Sequence, residues 1–172
     1  MKHLYLFIIL LITSISLHAQ KASSLSIGGG LTYPAARNYN LSWFTSLHWN
    51  LAFGQKTSVD THIDLAEIGV EDYADAIGVE NDHNVYQFGT GLRHYFLKDF
   101  FANAGVSAAI VNDSEASIRI FPNLGIGYDL FLTERHGIEI SLKNDLIKNF
   151  GNHRYLSIFS LGAAYKFRYG IR

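Results

Sequence analysis

From Leu25 onward the apolar residues fall on every second position, interrupted at intervals by turn-forming residues. That is the period of a β-strand with two unlike faces. Eight such segments are predicted: Leu25–Tyr33, Leu41–Phe53, Thr57–Ala66, Val85–Phe96, Phe100–Ile110, Ser117–Leu132, Gly137–Ile147 and Tyr155–Phe167. In the second, Leu41, Trp43, Leu47, Trp49, Leu51 and Phe53 oppose Ser42, Ser46, His48 and Asn50; in the seventh, Ile138, Ile140, Leu142 and Leu146 oppose Glu139, Ser141, Lys143 and Asp145. Pro122 inside the sixth segment predicts a bulge or a local break, because proline gives no N–H to a ladder. Connections at Gly54–Lys56, Leu97–Asp99 and Thr133–His136 read as tight turns, whereas Pro34–Asn40, Glu67–Asn84, Val111–Ala116 and Lys148–Arg154 read as longer loops. Short and long connections therefore fall on opposite ends of an up-and-down meander.

Alternation alone does not say which face meets water, since a soluble lipocalin-like barrel also has one apolar and one polar side. The charge distribution separates the cases. No Asp, Glu, Lys or Arg occupies the apolar parity of any predicted segment, as a lipid-facing surface requires when one mid-membrane Arg or Lys costs about 2–4 kcal/mol. The polar parity is rich in glycine and serine, with Gly28, Gly30, Gly89, Gly91, Gly105, Gly125, Gly127 and Gly162, which suits a narrow lumen filled by alternating small and large side chains. Aromatic residues on the apolar parity gather toward strand ends. Tyr33, Trp43, Tyr86 and Tyr155 lie near the long loops, and Trp49, Phe53, Phe96, Phe100, Tyr128, Tyr165 and Phe167 near the short turns. Two such groups form the interfacial girdles of a membrane barrel. The expected fold is all-β, an eight-stranded antiparallel up-and-down transmembrane β-barrel.

Composition narrows this further. With 172 residues, 14 Lys plus Arg against 15 Asp plus Glu, and no cysteine, the chain has one domain's length, no basic surface for nucleic acid, and no disulfide or thiolate metal site. Lys2 and His3 precede a greasy run from Leu4 to Ile12, then more polar residues to His18 and a small Ala19. This reads as a secretory signal peptide over residues 1–19, leaving residues 20–172 as the barrel domain.

The signal peptide, the eight amphipathic segments, the alternating loops and the closing Leu161-Gly-Ala-Ala-Tyr-Lys-Phe167 resemble the small outer-membrane barrels of the OmpA/OmpX type, within the porin-like barrels of the Gram-negative cell envelope. The resemblance spans nearly all of residues 20–172; unlike many such barrels, the chain continues past the final aromatic with Arg168 to Arg172. It implies an integral outer-membrane protein, expected as a monomer, in contact with outer-membrane lipid and lipopolysaccharide and handled by the barrel-insertion machinery. It also implies a structural or surface-interaction role, with an extracellular protein or ligand met through four external loops. Because such barrels include lipid A deacylases and acyltransferases, a lipid A-modifying enzyme is the alternative; a secreted lipocalin-like carrier is a more distant one.

Candidate chemistry lies in the lumen and the loops. The interior is expected to hold Asp60, Asp64, Asp129, Glu139 and Asp145 against Arg93, Arg119, Lys143 and Lys166, with His48, His62, Asn50 and Asn103 beside them. The expectation is a salt-bridged filling, since buried charges must be paired, with a proton or ion path through Asp60, His62 and Asp64 as the sharper reading. For an enzyme, a nucleophile and base must lie within reach of each other. Asp113 and Ser114, or His153 and Ser157, are the available residues, but neither set has a specific spacing and no catalytic residue is assigned. The Glu67–Asn84 loop carries six carboxylates and no Lys or Arg, without an EF-hand spacing. The eight histidines are dispersed, so neither a metal ligand set nor a cofactor is assigned.

Overall fold

The described residues of the computed structural model, 22–36, 39–69, 83–112, 117–150 and 153–169, form eight strands. They are β1 (Ser23–Pro34), β2 (Ser42–Ala52), β3 (Thr57–Ile68), β4 (His83–Tyr95), β5 (Phe100–Asn112), β6 (Ser117–Phe131), β7 (His136–Phe150) and β8 (His153–Tyr169). Each pairs antiparallel with its chain neighbours, and β8 returns to β1 from Ser23↔Tyr169 to Pro34↔Ile158, closing the barrel. The shortest strand, β2, has 11 residues and the longest, β8, has 17. A tilted membrane-crossing strand needs about 9–11. The predicted signal peptide lies outside the described residues.

The apolar parity points outward. Leu25, Ile27, Leu31, Leu47, Ile63, Phe88, Leu92, Leu124, Ile126, Leu142 and Leu161 are all exposed, Ile120 by 75%. Their alternate neighbours Ser26, Ser46, His62, Gln87, Arg93, Asn123 and Ser160 are buried. A soluble carrier requires the reverse arrangement, and the lipocalin-like alternative falls on this observation. Several polar groups on the outer face are paired: Asn144 Nδ2 donates to Ser157 Oγ at 2.6 Å, and the Thr57 hydroxyl lies 3.0 Å from His94 Nδ1. A surface without water to satisfy hydrogen bonds demands such pairing.

The turns occupy residues 53–56, 96–99 and 132–135, with closing bonds such as Phe53 N to Thr57 O at 3.2 Å and Leu132 N to His136 O at 2.9 Å. At the other end several strands run further than the alternation indicates. β7 continues to Phe150 and β8 starts at His153, so most of the predicted Lys148–Arg154 loop is paired hairpin, with Ile147↔Leu156 and Phe150↔His153 in register. β5 likewise runs to Asn112, with Val111 and Asn112 of the predicted Val111–Ala116 loop paired to Val85 and Asn84 of β4. Burial explains the extension, because Ile147, Leu156 and Ile158 point inward and form an apolar cluster with Ile68, Val85, Ala109 and Phe121. Tyr39, in the β1–β2 connection, packs against this cluster. Burial pushes its phenol above the usual value, while the Arg119 guanidinium pulls it down. The lumen is thus stoppered by hydrocarbon at its loop end.

Pro122 produces no register shift against β5, where Val106↔Pro122 sits within an unbroken ladder. Pairing with β7 instead stops at Asn123↔Asp145, one residue past the proline. The predicted break exists on one side only.

Glycines cut notches for large inward side chains. A Cβ on Gly127 would lie 2.3 Å from Phe101 Cζ, and one on Gly125 would lie 2.2 Å from Asn103 Oδ1. Gly127→Val is expected to destabilise the barrel by about 1–3 kcal/mol through overpacking against a ring that has nowhere to retreat. Gly54→Ala, in a turn with nothing within 4 Å of the new Cβ, is the neutral comparison. Unfolding midpoints in urea, followed by tryptophan emission, would measure both.

Candidate functional site

The polar half of the lumen is built from inward positions on all eight strands. Arg93 on β4 is its hub, 1% exposed. Its Nη1 donates to Glu139 Oε2 at 2.6 Å, and its Nη2 to Glu139 Oε1 at 2.9 Å and Asp60 Oδ2 at 2.7 Å. A two-pronged contact of this kind exploits the planar guanidinium. The Phe101 ring lies 4.0 Å from Arg93 Cζ, so the cation is held by both carboxylates and a π face. Below it toward the turns, Lys166 Nζ donates to both oxygens of Asp129, at 2.9 and 2.8 Å, and to Glu139 Oε2 at 2.9 Å. Tyr95 completes that group through its hydroxyl, which donates to Asp129 Oδ2 at 2.8 Å.

Toward the apolar stopper lies a second group. Lys143 Nζ pairs with Asp64 and with Asp145 Oδ2, the latter at 3.1 Å. Gln87 Nε2 donates to Ser107 Oγ at 2.8 Å, and Asn123 Nδ2 donates to the same hydroxyl at 2.7 Å. Linking the two groups, His48 Nδ1 stands 3.3 Å from Asp60 Oδ1, and the His48 and His62 rings stack with centroids 5.3 Å apart. Arg119, on the inward side of β6 beside the apolar stopper, is partly exposed.

Sequence reasoning treated the histidines as dispersed; the β2–β3 register brings two together as the directly opposed pair His48↔His62. His48, Asp60 and His62 can each present a ligand atom within 4.8 Å of the other two. The inward aromatics Tyr95, Phe101 and Phe121 were missed as well, because they are apolar residues on a face read as polar.

The Ser107 hydroxyl lies 3.3 Å from His62 Nε2, a nucleophile-and-base distance. Among the described residues, only Asp64 approaches His62 as a carboxylate ion-pair partner, and it does so at that same nitrogen, 3.9 Å away, so no described carboxylate orients His62 from its far side. The pair is also buried inside the barrel, where two neighbouring cavities measure about 20 Å³ each, room for roughly one water apiece. Of the loop candidates, Asp113 and Ser114 lie outside the described residues, as does the side chain of His153; Ser157 Oγ accepts its bond from Asn144.

The aromatics of the apolar parity lie toward the two ends of the barrel. Tyr33, Trp43, Tyr86 and Tyr155 are exposed at the loop end, and Trp49, Phe96, Phe100 and Tyr165 at the turn end; Phe53, Tyr128 and Phe167 are half-buried beside the latter group. Trp43 Nε1 donates to Glu67 Oε2 at 2.9 Å, and the Trp49 indole N–H bonds the Tyr169 hydroxyl. Indoles that bury their rings in hydrocarbon keep a polar edge satisfied in this way.

A closed eight-stranded barrel with an apolar exterior, paired aromatic girdles and a charged, packed lumen defines the class of small transmembrane barrels of the outer-membrane type. The chain superposes on Ail, the attachment invasion locus protein of Yersinia pestis, with a TM-score of 0.56 at 18% identity, covering 86% of this chain and 99% of that one. It is similar to neisserial surface protein A with a TM-score of 0.58 at 10% identity, over 87% and 98% of the two chains. OprG from Pseudomonas aeruginosa aligns with a TM-score of 0.53 at 13% identity, over 88% and 99%. These likenesses are of fold. No protein-family model and no curated protein matches the sequence.

Proposed function

We propose that residues 1–19 direct export and that residues 20–172 serve as a monomeric integral barrel of the outer membrane, contributing to envelope structure and to surface contact through the loops. The carrying observation is the uncharged belt of exposed Leu, Ile, Val and aromatic side chains between two aromatic girdles. A packed lumen with water-sized cavities supports a structural role over a transport role.

The surface partner follows from charge. Ail has been crystallised with the heparin analogue sucrose octasulfate, a polyanion. The present chain offers an acidic segment at Glu67–Asn84, without Lys or Arg, so a cationic protein surface, or lipopolysaccharide phosphates bridged by divalent cations, is the complementary partner. Barrel-insertion machinery is the partner in assembly.

Fractionation of an expressing Gram-negative cell tests this reading. The chain is expected in the outer membrane, starting near Gln20, extracted only by detergent, and migrating differently on a gel before and after boiling. Recovery from the soluble periplasm without detergent would refute it.

A further inference from the structure

The outer belt is not uniform. On β5 two alanines, Ala102 and Ala104, stand on the outward parity between Leu92 of β4 and Leu124 and Ile126 of β6. Leu92↔Ala104↔Leu124 is one continuous cross-strand row, and His94↔Ala102↔Ile126 is the next. Methyl side chains set between exposed leucines and isoleucines lower the surface, and the result is an open trough of about 580 Å³ that continues over β7 to Leu142 and Asn144. Among the described residues, no Asp, Glu, Lys or Arg lines it. Asn144, at its far end, directs its amide nitrogen at Ser157 Oγ and the Ile158 carbonyl, so the trough presents hydrocarbon.

Its turn-ward end is framed differently. One outward position below Ala102, the Phe100 ring packs on Tyr128 with centroids 4.6 Å apart and on Phe96 at 6.3 Å. Aromatic rings gather where hydrocarbon meets headgroups. Beyond them, Lys98 is exposed in the β4–β5 turn beside half-buried Asp99. Lys56 of the neighbouring turn is exposed as well, and its carbonyl accepts the Tyr95 N–H at 2.7 Å. The depth agrees with a lipid leaflet. Ala104 follows Phe100 by four residues, about 14 Å along a strand, or roughly 10 Å of depth at a tilt of about 40°. The hydrocarbon of one leaflet is about 15 Å thick.

We infer that the outer face of β4–β6 holds one glycerophospholipid with an anionic headgroup, drawn from the leaflet at the turn end. One acyl chain lies in the Ala102–Ala104 trough, the three rings collar the glycerol region, and Lys98 and Lys56 hold the headgroup. A chain bedded between Leu92 and Leu124 gains dispersion contacts that a smooth belt does not offer. The two ammonium groups select the anion, as basic groups beside a membrane surface do. The inference rests on the membrane placement proposed above.

Native mass spectrometry tests it on the full chain, refolded into nanodiscs of equal parts dioleoyl phosphatidylglycerol and dioleoyl phosphatidylcholine and then released into detergent. One retained lipid per barrel is expected, with phosphatidylglycerol favoured at least fivefold. Ala104→Leu, which fills the trough, is expected to cut retention at least fivefold, whereas Ala163→Leu, on the exposed outer side of β8, leaves it unchanged. Lys98→Gln combined with Lys56→Gln is expected to keep the lipid and lose the preference. The inference is overturned, with the barrel still in the membrane, by no retained lipid, by equal retention of the two lipids in the unaltered chain, by undiminished retention in Ala104→Leu, or by a preference that survives the double substitution. A chain that never enters the nanodisc overturns the placement along with it. If Ala104→Leu does not fold, the unaltered chain decides the matter after transfer to deuterated detergent. Methyl contacts to acyl protons are then expected to persist at Ala102 and Ala104 and to vanish at Ala163; contacts equal at all three, or missing from all three, refute the site.

Discussion

Arg93→Ala is expected to destabilise the barrel by about 3–5 kcal/mol, the loss typical when one partner of a buried ion pair is removed. The substitution strands Asp60 and Glu139 together, with no guanidinium between them. Arg93→Lys is expected to recover only part of the loss, since an ammonium cannot span Glu139 and Asp60 with the same planar fork. A triple change, Arg93→Met with Asp60→Asn and Glu139→Gln, is expected to be closer to the unaltered protein than Arg93→Ala, because no charge is then left alone. Urea unfolding in detergent micelles gives all three values. A ranking with the triple variant least stable would show that the network holds the strands together by attraction rather than by avoiding unpaired charge.

The second large effect belongs to the opposite face. Leu142→Arg, on the outward side of β7 between Ile140 and Leu146, is expected to cost about 2–4 kcal/mol in a bilayer, the range for a cation near the midplane. Lys148, on the same parity six positions on, is already charged and exposed at the loop end, so Lys148→Arg is expected to change little. Reversible unfolding from lipid vesicles would measure both. Equal costs at the two positions would mean that depth along the strand carries no energy, contrary to a membrane placement.

Much of this architecture is legible before any coordinates. A period of two assigns every outward Leu, Ile and Trp on β2, β6 and β7, since one slipped residue would turn a whole strand inside out. Counting from the short turns sets Asp60 and Arg93 at like heights, and they meet at 2.7 Å. The same arithmetic applies to the histidines: His48 and His62 are equidistant from Gln55 in the turn between β2 and β3, and the register opposes them directly.

Other features do not follow from alternation. Phe101 and Phe121 are apolar residues on the inward parity. Phe101 is admitted by the glycine notch at Gly127 on the neighbouring strand, and Phe121 joins the loop-end apolar cluster to which five other strands contribute. Such relations depend on how the closed ring staggers its strands, which a local pattern does not encode. The extra length of β7 and β8 has the same origin. Ile147, Leu156 and Ile158 earn their strand geometry by stoppering the lumen with residues from β3, β4, β5 and β6.

The central claim is that outward residues meet lipid and inward ones do not, and the chain contains its own controls. Leu124, Ile126, Leu142 and Leu161 lie on the outer face, whereas Ile147, Leu156 and Ile158, of the same residue types, lie inside. With methyl-labelled protein in lipid nanodiscs, nuclear Overhauser contacts to acyl-chain protons should appear at the first four and be missing from the last three. Acyl contacts at Ile147, Leu156 and Ile158 with none at Leu124, Ile126, Leu142 and Leu161 would contradict the account outright.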